Sequence, residues 1–291
     1  MGINSGVSFM ILSSLLSALN GAVAKILGEE ISALEIVFFR NLIGVLLILL
    51  MLKHTPAKLK GGLPHLLILR GVFGFTAMLF FFYTITKIPL GEAVTLNKTS
   101  PIFVTILAFF LLHERLDIVG LFSLFIGFVG VILITKPFGM EFGVAQVLGV
   151  LGGFFAAAAY TTIKKIKHIY DSRVIVLSFM GTGVVVPFFL FIISEFYSPK
   201  SLDFLLSKFI MPNKLSSWLL IIFMAITATA SQWFLTKAYS DTKAGIAGVV
   251  SYIIIPFSIT FGVILGDNIP DPITWIGIFM IVMAGLLVRK G

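Results

Sequence analysis

"SPIFVTILAFFLLHERLDIVGLFSLFIGFVGVILITK", Ser100 to Lys136, returns in degenerate form as "IPFSITFGVILGDNIPDPITWIGIFMIVMAGLLVRK", Ile255 to Lys290. Pro101 aligns with Pro256 and Gly130 with Gly285, each 155 residues further on. In both copies the proline lies near the middle of an apolar helix. That helix ends in a short turn, "LLHERL" or "LGDNIP", before a span containing glycine. Upstream, "LFFFYTITK" and "QWFLTKAY" occupy equivalent places. The chain is written twice.

Working outward, a helix crosses the hydrocarbon core with about 20 residues. Ten segments reach that length, over residues 4–27, 32–52, 64–86, 91–112, 118–135, 144–163, 173–194, 215–237, 243–265 and 272–288. They are continuously apolar and do not alternate, which excludes a membrane β-barrel. Each copy holds five spans, and an odd number makes the second copy enter the bilayer from the opposite side. The expected fold is an all-α polytopic membrane protein: ten transmembrane helices as two inverted five-helix repeats, residues 1–138 and 143–291.

Composition agrees. Hydrophobic residues make up 58% of the chain and charged residues 12%, and the mean hydropathy is +1.10, leaving too little polar surface for a soluble domain of this length. The net charge of +8 implies no nucleic-acid partner, because the positive residues lie between spans. With the N-terminus inside, most of them fall on the cytoplasmic side, among them Lys53, Lys58, Lys60, Lys164, Lys165, Lys167 and Arg173. Lys87, Lys136, Lys200, Lys208 and Lys214 fall outside, so both termini are expected in the cytoplasm, in a bacterial inner membrane. "MGINSG" carries no Lys or Arg, so no signal peptide is expected. There is no Cys, no HExxH spacing and no P-loop, and all four His sit at cytoplasmic ends. No catalytic, metal or cofactor site is expected, and the chain is not read as an enzyme.

"LRGVFGFTAMLFFFYTITKIPLGEAVTLNKTSPIFVTILAFFLLHERL", Leu69 to Leu116, resembles the drug/metabolite transporter superfamily, in particular its EamA-type members. The resemblance rests on the proline-centred fourth span, the "HERL" turn and the glycine-rich fifth span, repeated in the second half. It implies a ten-helix metabolite carrier. The second copy departs from the pattern with "GDNI" in place of the acidic-basic pair.

Charges inside spans are expensive, costing about 2.5–3.5 kcal/mol at mid-bilayer on insertion scales, and so should face protein or water. Lys98 is the only charge between Ala93 and Leu112. Pro101 removes the helical partner of the Asn97 carbonyl and bends the span. Lys98 is read as the ligand of a negative group on the substrate, with Asn97 beside it. An ion pair to another helix and snorkelling are the competing readings. Arg40, similarly deep, assists or gates. Glu92, at the outer mouth of span 4, is a gate partner, a proton site or an interfacial residue. Lys25 is expected to pair with Glu29 four residues on, and Arg70 to snorkel to the cytoplasm. Tyr83, Trp233 and Tyr252 are expected on the organic part of the solute, and Asn20 and Tyr160 on the cavity wall. Pro101 and Pro256 would let the central helices flex.

The expectation is a secondary transporter working by alternating access, with a central site between spans 1, 3, 4, 6, 8 and 9. Its partners would be a small polar or amphipathic metabolite (an amino-acid-like zwitterion or an organic anion) and the lipid bilayer, with the chain a monomer or homodimer. A non-transporting scaffold or receptor, and a carrier of cationic or hydrophobic amines, are the alternatives.

Overall fold

The computed structural model describes residues 5–57, 61–114, 117–135, 143–199, 202–267, 269 and 271–288. All its regular structure is helical. The first half contains α1 (Ser5–Leu27), α2 (Ala33–His54), α3 (Pro64–Lys87), α4 (Leu90–Asn97), α5 (Ser100–Leu112) and α6 (Ile118–Thr135). The second contains α7 (Val144–Ile166), α8 (Ser172–Phe196), α9 (Leu215–Asp241), α10 (Ala244–Val250), α11 (Ile254–Ile264) and α12 (Pro272–Val288). Eight helical runs have the length and hydropathy to cross a membrane when α4–α5 and α10–α11 are each counted as one run. The apolar parts of α6 and α12, Ile118–Leu133 and Pro272–Ala284, are shorter.

Local chemistry sets the boundaries. Ser32 caps α2 while Glu35 reaches back to the Ser32 amide, a capping box that satisfies orphan donors at the helix start. Glu35 is fully buried and also accepts the Ile210 amide, so it serves the segment between α8 and α9 rather than Arg40. Asp171 caps α8 by accepting the Arg173 amide, and Pro64 opens α3. The turns after α5 and α11 each reverse through a left-handed residue, His113 at φ 55° and Gly266 at φ 97°.

Spans 4 and 9 are both interrupted one turn before their prolines. Span 4 breaks at Lys98–Thr99, between α4 and α5, and span 9 passes through a 3-10 turn at Ser251–Ile253. Neither Pro101 nor Pro256 can donate the backbone hydrogen bond an uninterrupted helix requires.

Helix pairs recur in equivalent places. α3 packs along α7 as α9 packs along α1; α5 lies on α7 as α11 lies on α1; α3 meets α8 as α2 meets α9. α6 pairs with α12, and α2 with α8, each with its own counterpart. This exchange of partners is what a pseudo-twofold between five-helix repeats produces. Small residues bring the helices close: a Cβ on Gly153 would stand 2.9 Å from the Asn97 carbonyl oxygen, and one on Gly130 would stand 2.7 Å from that of Gly277. Phe110, Phe125 and Phe279 project outward, each about two-thirds exposed, as lipid-facing side chains do.

Candidate functional site

The helices enclose a central cavity of about 110 Å³. Spans 1, 3, 4, 6, 8 and 9 line it, and α2 and α8 add Arg40 and Phe179. The α1 wall is polar, with Ser13, Ser14, Ser17 and Asn20 at helical spacing. Ser13 and Ser17 bond Ser231 of α9, and the Asn20 amide donates to Thr227 Oγ1 at 3.2 Å. The Asn20 carbonyl oxygen is buried without a partner.

Three cations reach this cavity. Lys98 projects from the break in span 4, and its Nζ donates to Ser251 Oγ, 3.2 Å away in the break of span 9. This bond joins the breaks of the two spans, beside the packing of Pro101 on Gly248. Arg40 contacts Met78 Sδ and lies over the Phe82 ring at 5.5 Å. Arg70 lies over the Phe179 ring at 4.8 Å and donates weakly to Gln232 Oε1 at 3.4 Å. Exposures are 8% for Lys98, 5% for Arg40 and 1% for Arg70. None of the ion pairs among the described residues includes any of the three. The Nε atoms of both arginines have no hydrogen-bond partner. Buried cations without an ionic partner are costly to hold.

Several sequence expectations move. Arg70 does not snorkel: its Nη1 lies where a Cβ on Gly74 would be, so the side chain turns along its own helix into the cavity, away from the nearer helix end. Lys25 pairs with Asp267, not Glu29. Tyr83 lies outside the cavity lining; its hydroxyl donates to Asp203 Oδ1 at 2.9 Å, beside the Lys87–Asp203 ion pair. Trp233 is also outside the lining and packs on Phe234. Tyr252 is buried behind the cavity, against Gly127 of α6. Asn20, Asn97 and Tyr160 line the cavity, with Tyr160 stacked on Tyr239 at 4.6 Å between centroids. Pro101 packs against Gly248 of α10, and Pro256 lies in α11. The side chain of Glu92 lies outside the described residues.

Sequence reasoning missed Arg70, Ser251 and the serines of α1. The serines had a signal, since Ser13, Ser17 and Asn20 recur at one-turn spacing. For Arg70 the signal was Gly74 one turn on along the same helix, which leaves room for a guanidinium.

Two further ion pairs close the bundle ends. Lys25, near the end of α1, pairs with Asp267 in the turn after α11. Lys164, near the end of α7, pairs with Glu114 in the turn after α5 at 3.4 Å. Each joins the first helix of one half to the turn after the broken helix of the other. They lie at opposite faces: Lys164 bonds the Thr242 carbonyl, and Thr242 sits beside Gly6 at the start of α1. The "HERL" turn thereby gains a concrete role, because Glu114 also accepts the Ala244 amide at the start of α10.

A polytopic bundle of paired repeats around a central chamber of mixed polar and apolar lining, with an ion pair at either end, defines an integral membrane transporter of the inverted-repeat class. Residues 4–136 and 143–289 each match the EamA-like transporter family, to which the chain belongs. It is 34% identical to an uncharacterized transporter of Helicobacter pylori, covering 97% of this chain and 94% of that one. It is 32% identical to the pseudopaline exporter CntI of Pseudomonas aeruginosa, over 99% and 97% of the two chains. It is 24% identical to an S-adenosylmethionine uptake transporter of Rickettsia prowazekii, over 98% and 92%. A solved crystal structure shares the fold at a TM-score of 0.77 and 16% identity, over 98% of this chain and 96% of that one.

Proposed function

We propose that the chain moves a small organic anion or amino-acid-like zwitterion across a bacterial inner membrane by alternating access. The observation that carries this reading is the set of three buried cations with no acidic partner among the described residues, all on one cavity. A solute carboxylate or phosphate would complete what the protein leaves open. A carrier of amines would instead need carboxylates at this depth, and among the described residues none lines the cavity.

Lys98 holds the negative group and Arg40 assists. Tyr160 and Tyr239 offer a flat surface to the organic part, and Asn20 and Asn97 offer hydrogen bonds. The two halves, residues 1–138 and 143–291, rock about the junction where Lys98 meets Ser251, with Pro101 and Pro256 as hinges. The two end latches support that motion, since opening one while the other holds gives the chamber one exit at a time. Relatives named for moving pseudopaline and S-adenosylmethionine are consistent with a metabolite as cargo. Both termini are placed in the cytoplasm on the strength of the loop charges.

Purified protein in proteoliposomes, loaded with a metabolite panel and assayed by counterflow, tests the reading. Lys98→Ala should abolish flux of the responding solute and Lys98→Arg should retain part of it. Full flux in the Ala variant would remove Lys98 from the mechanism.

A further inference from the structure

Lys98 and Arg40 suffice for a solute with one negative group, and Arg70 is then surplus. We infer that the solute carries two separate negative groups and that Arg70 is the receptor for the second. The inference rests on the carrier reading above.

The geometry of α3 carries the argument. The Arg70 guanidinium lies at the level of Gly74, and the Arg40 guanidinium touches Met78 on the same helix. Gly74 and Met78 are one turn apart, so the two cationic heads are offset along α3 by about 6 Å. One carboxylate spanning both heads would lend a single oxygen to each, whereas a short molecule with two negative groups can fork each guanidinium separately. Each head is backed by a phenylalanine ring, Phe179 or Phe82, that fixes its plane. Each also retains an Nε without a partner. Gln232, on the facing helix α9, supplies an amide whose one hydrogen bond among the described residues is the long contact to Arg70. Like charges held this near each other in a low-dielectric chamber repel, and a bridging dianion relieves both at once. A solute with one negative group brings one charge to two buried cations and leaves the pair net positive.

Ligand series and variants test this on the purified full-length chain at low salt. Binding of succinate, glutarate and adipate is compared with binding of the monoamide of each, by thermal shift and by calorimetry. At least one diacid should bind roughly tenfold or more tightly than its own monoamide, the gain expected of one added charge-assisted contact. Arg70→Gln should erase that difference while leaving monoamide affinity within about a factor of two. Arg70→Lys should keep part of the preference, which guards against a Gln variant that fails to fold. Equal binding of diacid and monoamide by the unmodified protein would overturn the inference and leave the carrier reading standing. So would an Arg70→Gln variant that weakened both ligands equally, since that is the mark of a structural residue. Absence of binding by every acid and every monoamide would count against the anion-carrier reading itself.

Discussion

Replacing Lys98 with Met keeps the apolar stem and deletes the ammonium, and the outcome separates a functional cation from a structural one. Lys98 is 8% exposed, and its ammonium donates to one neutral partner, Ser251 Oγ at 3.2 Å. Holding a lysine at membrane depth costs about 2.5–3.5 kcal/mol. A hydrogen bond from a charged donor returns about 1.5–3 kcal/mol. The substitution removes both, so the empty protein should be between unchanged and about 2 kcal/mol more stable. A lysine locked in a buried ion pair behaves oppositely, since deleting one partner there costs about 3–5 kcal/mol. Thermal or denaturant unfolding of purified protein without solute, run beside proteoliposome flux, reads both quantities. The expected Lys98→Met protein unfolds at or above the midpoint of the parent and transports nothing. A variant destabilised by about 3 kcal/mol or more that still transports would show that Lys98 serves the fold.

The latches predict opposite phenotypes. The chain has no cysteine, so one introduced at Ser17 on the cavity wall reports solvent access cleanly. Asp267→Asn and Glu114→Gln should each raise its labelling by an impermeant maleimide, from opposite faces, by up to roughly fivefold for a pair contributing about 1 kcal/mol. Enhanced labelling from the same face in both variants would sink the paired-latch reading. Gly153→Ala should destabilise the protein by about 1–3 kcal/mol, because the new methyl would lie 2.6 Å from Thr99 Oγ1 and 2.9 Å from the Asn97 carbonyl oxygen. Unfolding midpoints indistinguishable from the parent would show that α7 can retreat from the break in span 4. Hydrogen bonding from Lys214, then from Ser217, holds the Glu30 carboxyl below its ordinary value of 4.5. A depressed carboxylate stabilises above its unfolded value and loses that contribution as pH falls through the folded one. Amide exchange over residues 202–214 should therefore accelerate only below about pH 4.5; acceleration already at neutral pH would mean that the loop is not tied by Glu30.

The sequence made the large features legible and the small rotations not. The duplicated prolines located both interrupted spans, because a missing backbone donor has the same consequence wherever it falls. The lone lysine beside Pro101 marked the chamber through its cost alone. Tyr83 and Trp233 were misplaced by a single step of helical phase. On α3 the cavity stripe is Gly74, Ala77, Met78, Phe81 and Phe82, and on α9 it is Ala228, Ser231, Gln232, Leu235 and Tyr239. The next residue after Phe82 or Gln232 is turned by about 100° and leaves the stripe. Composition cannot fix phase when nearly every face is apolar. Arg70 was misread for another reason: snorkelling assumes a side chain heads for the nearer water, and here Gly74 opens space in the other direction.

The close helix pairings run mostly between the halves rather than within them. α1 lies on α9, α3 on α7 and α6 on α12, whereas α1 has little contact with α2. Neither set of five helices could bury its own seams, so the molecule is in effect an antiparallel dimer fused into one polypeptide. The join replaces a bimolecular association with an internal one at high effective concentration. It also frees the copies to diverge, so that the cations gather on one side of the former dimer while the other supplies the neutral partners of Lys98 and Arg70.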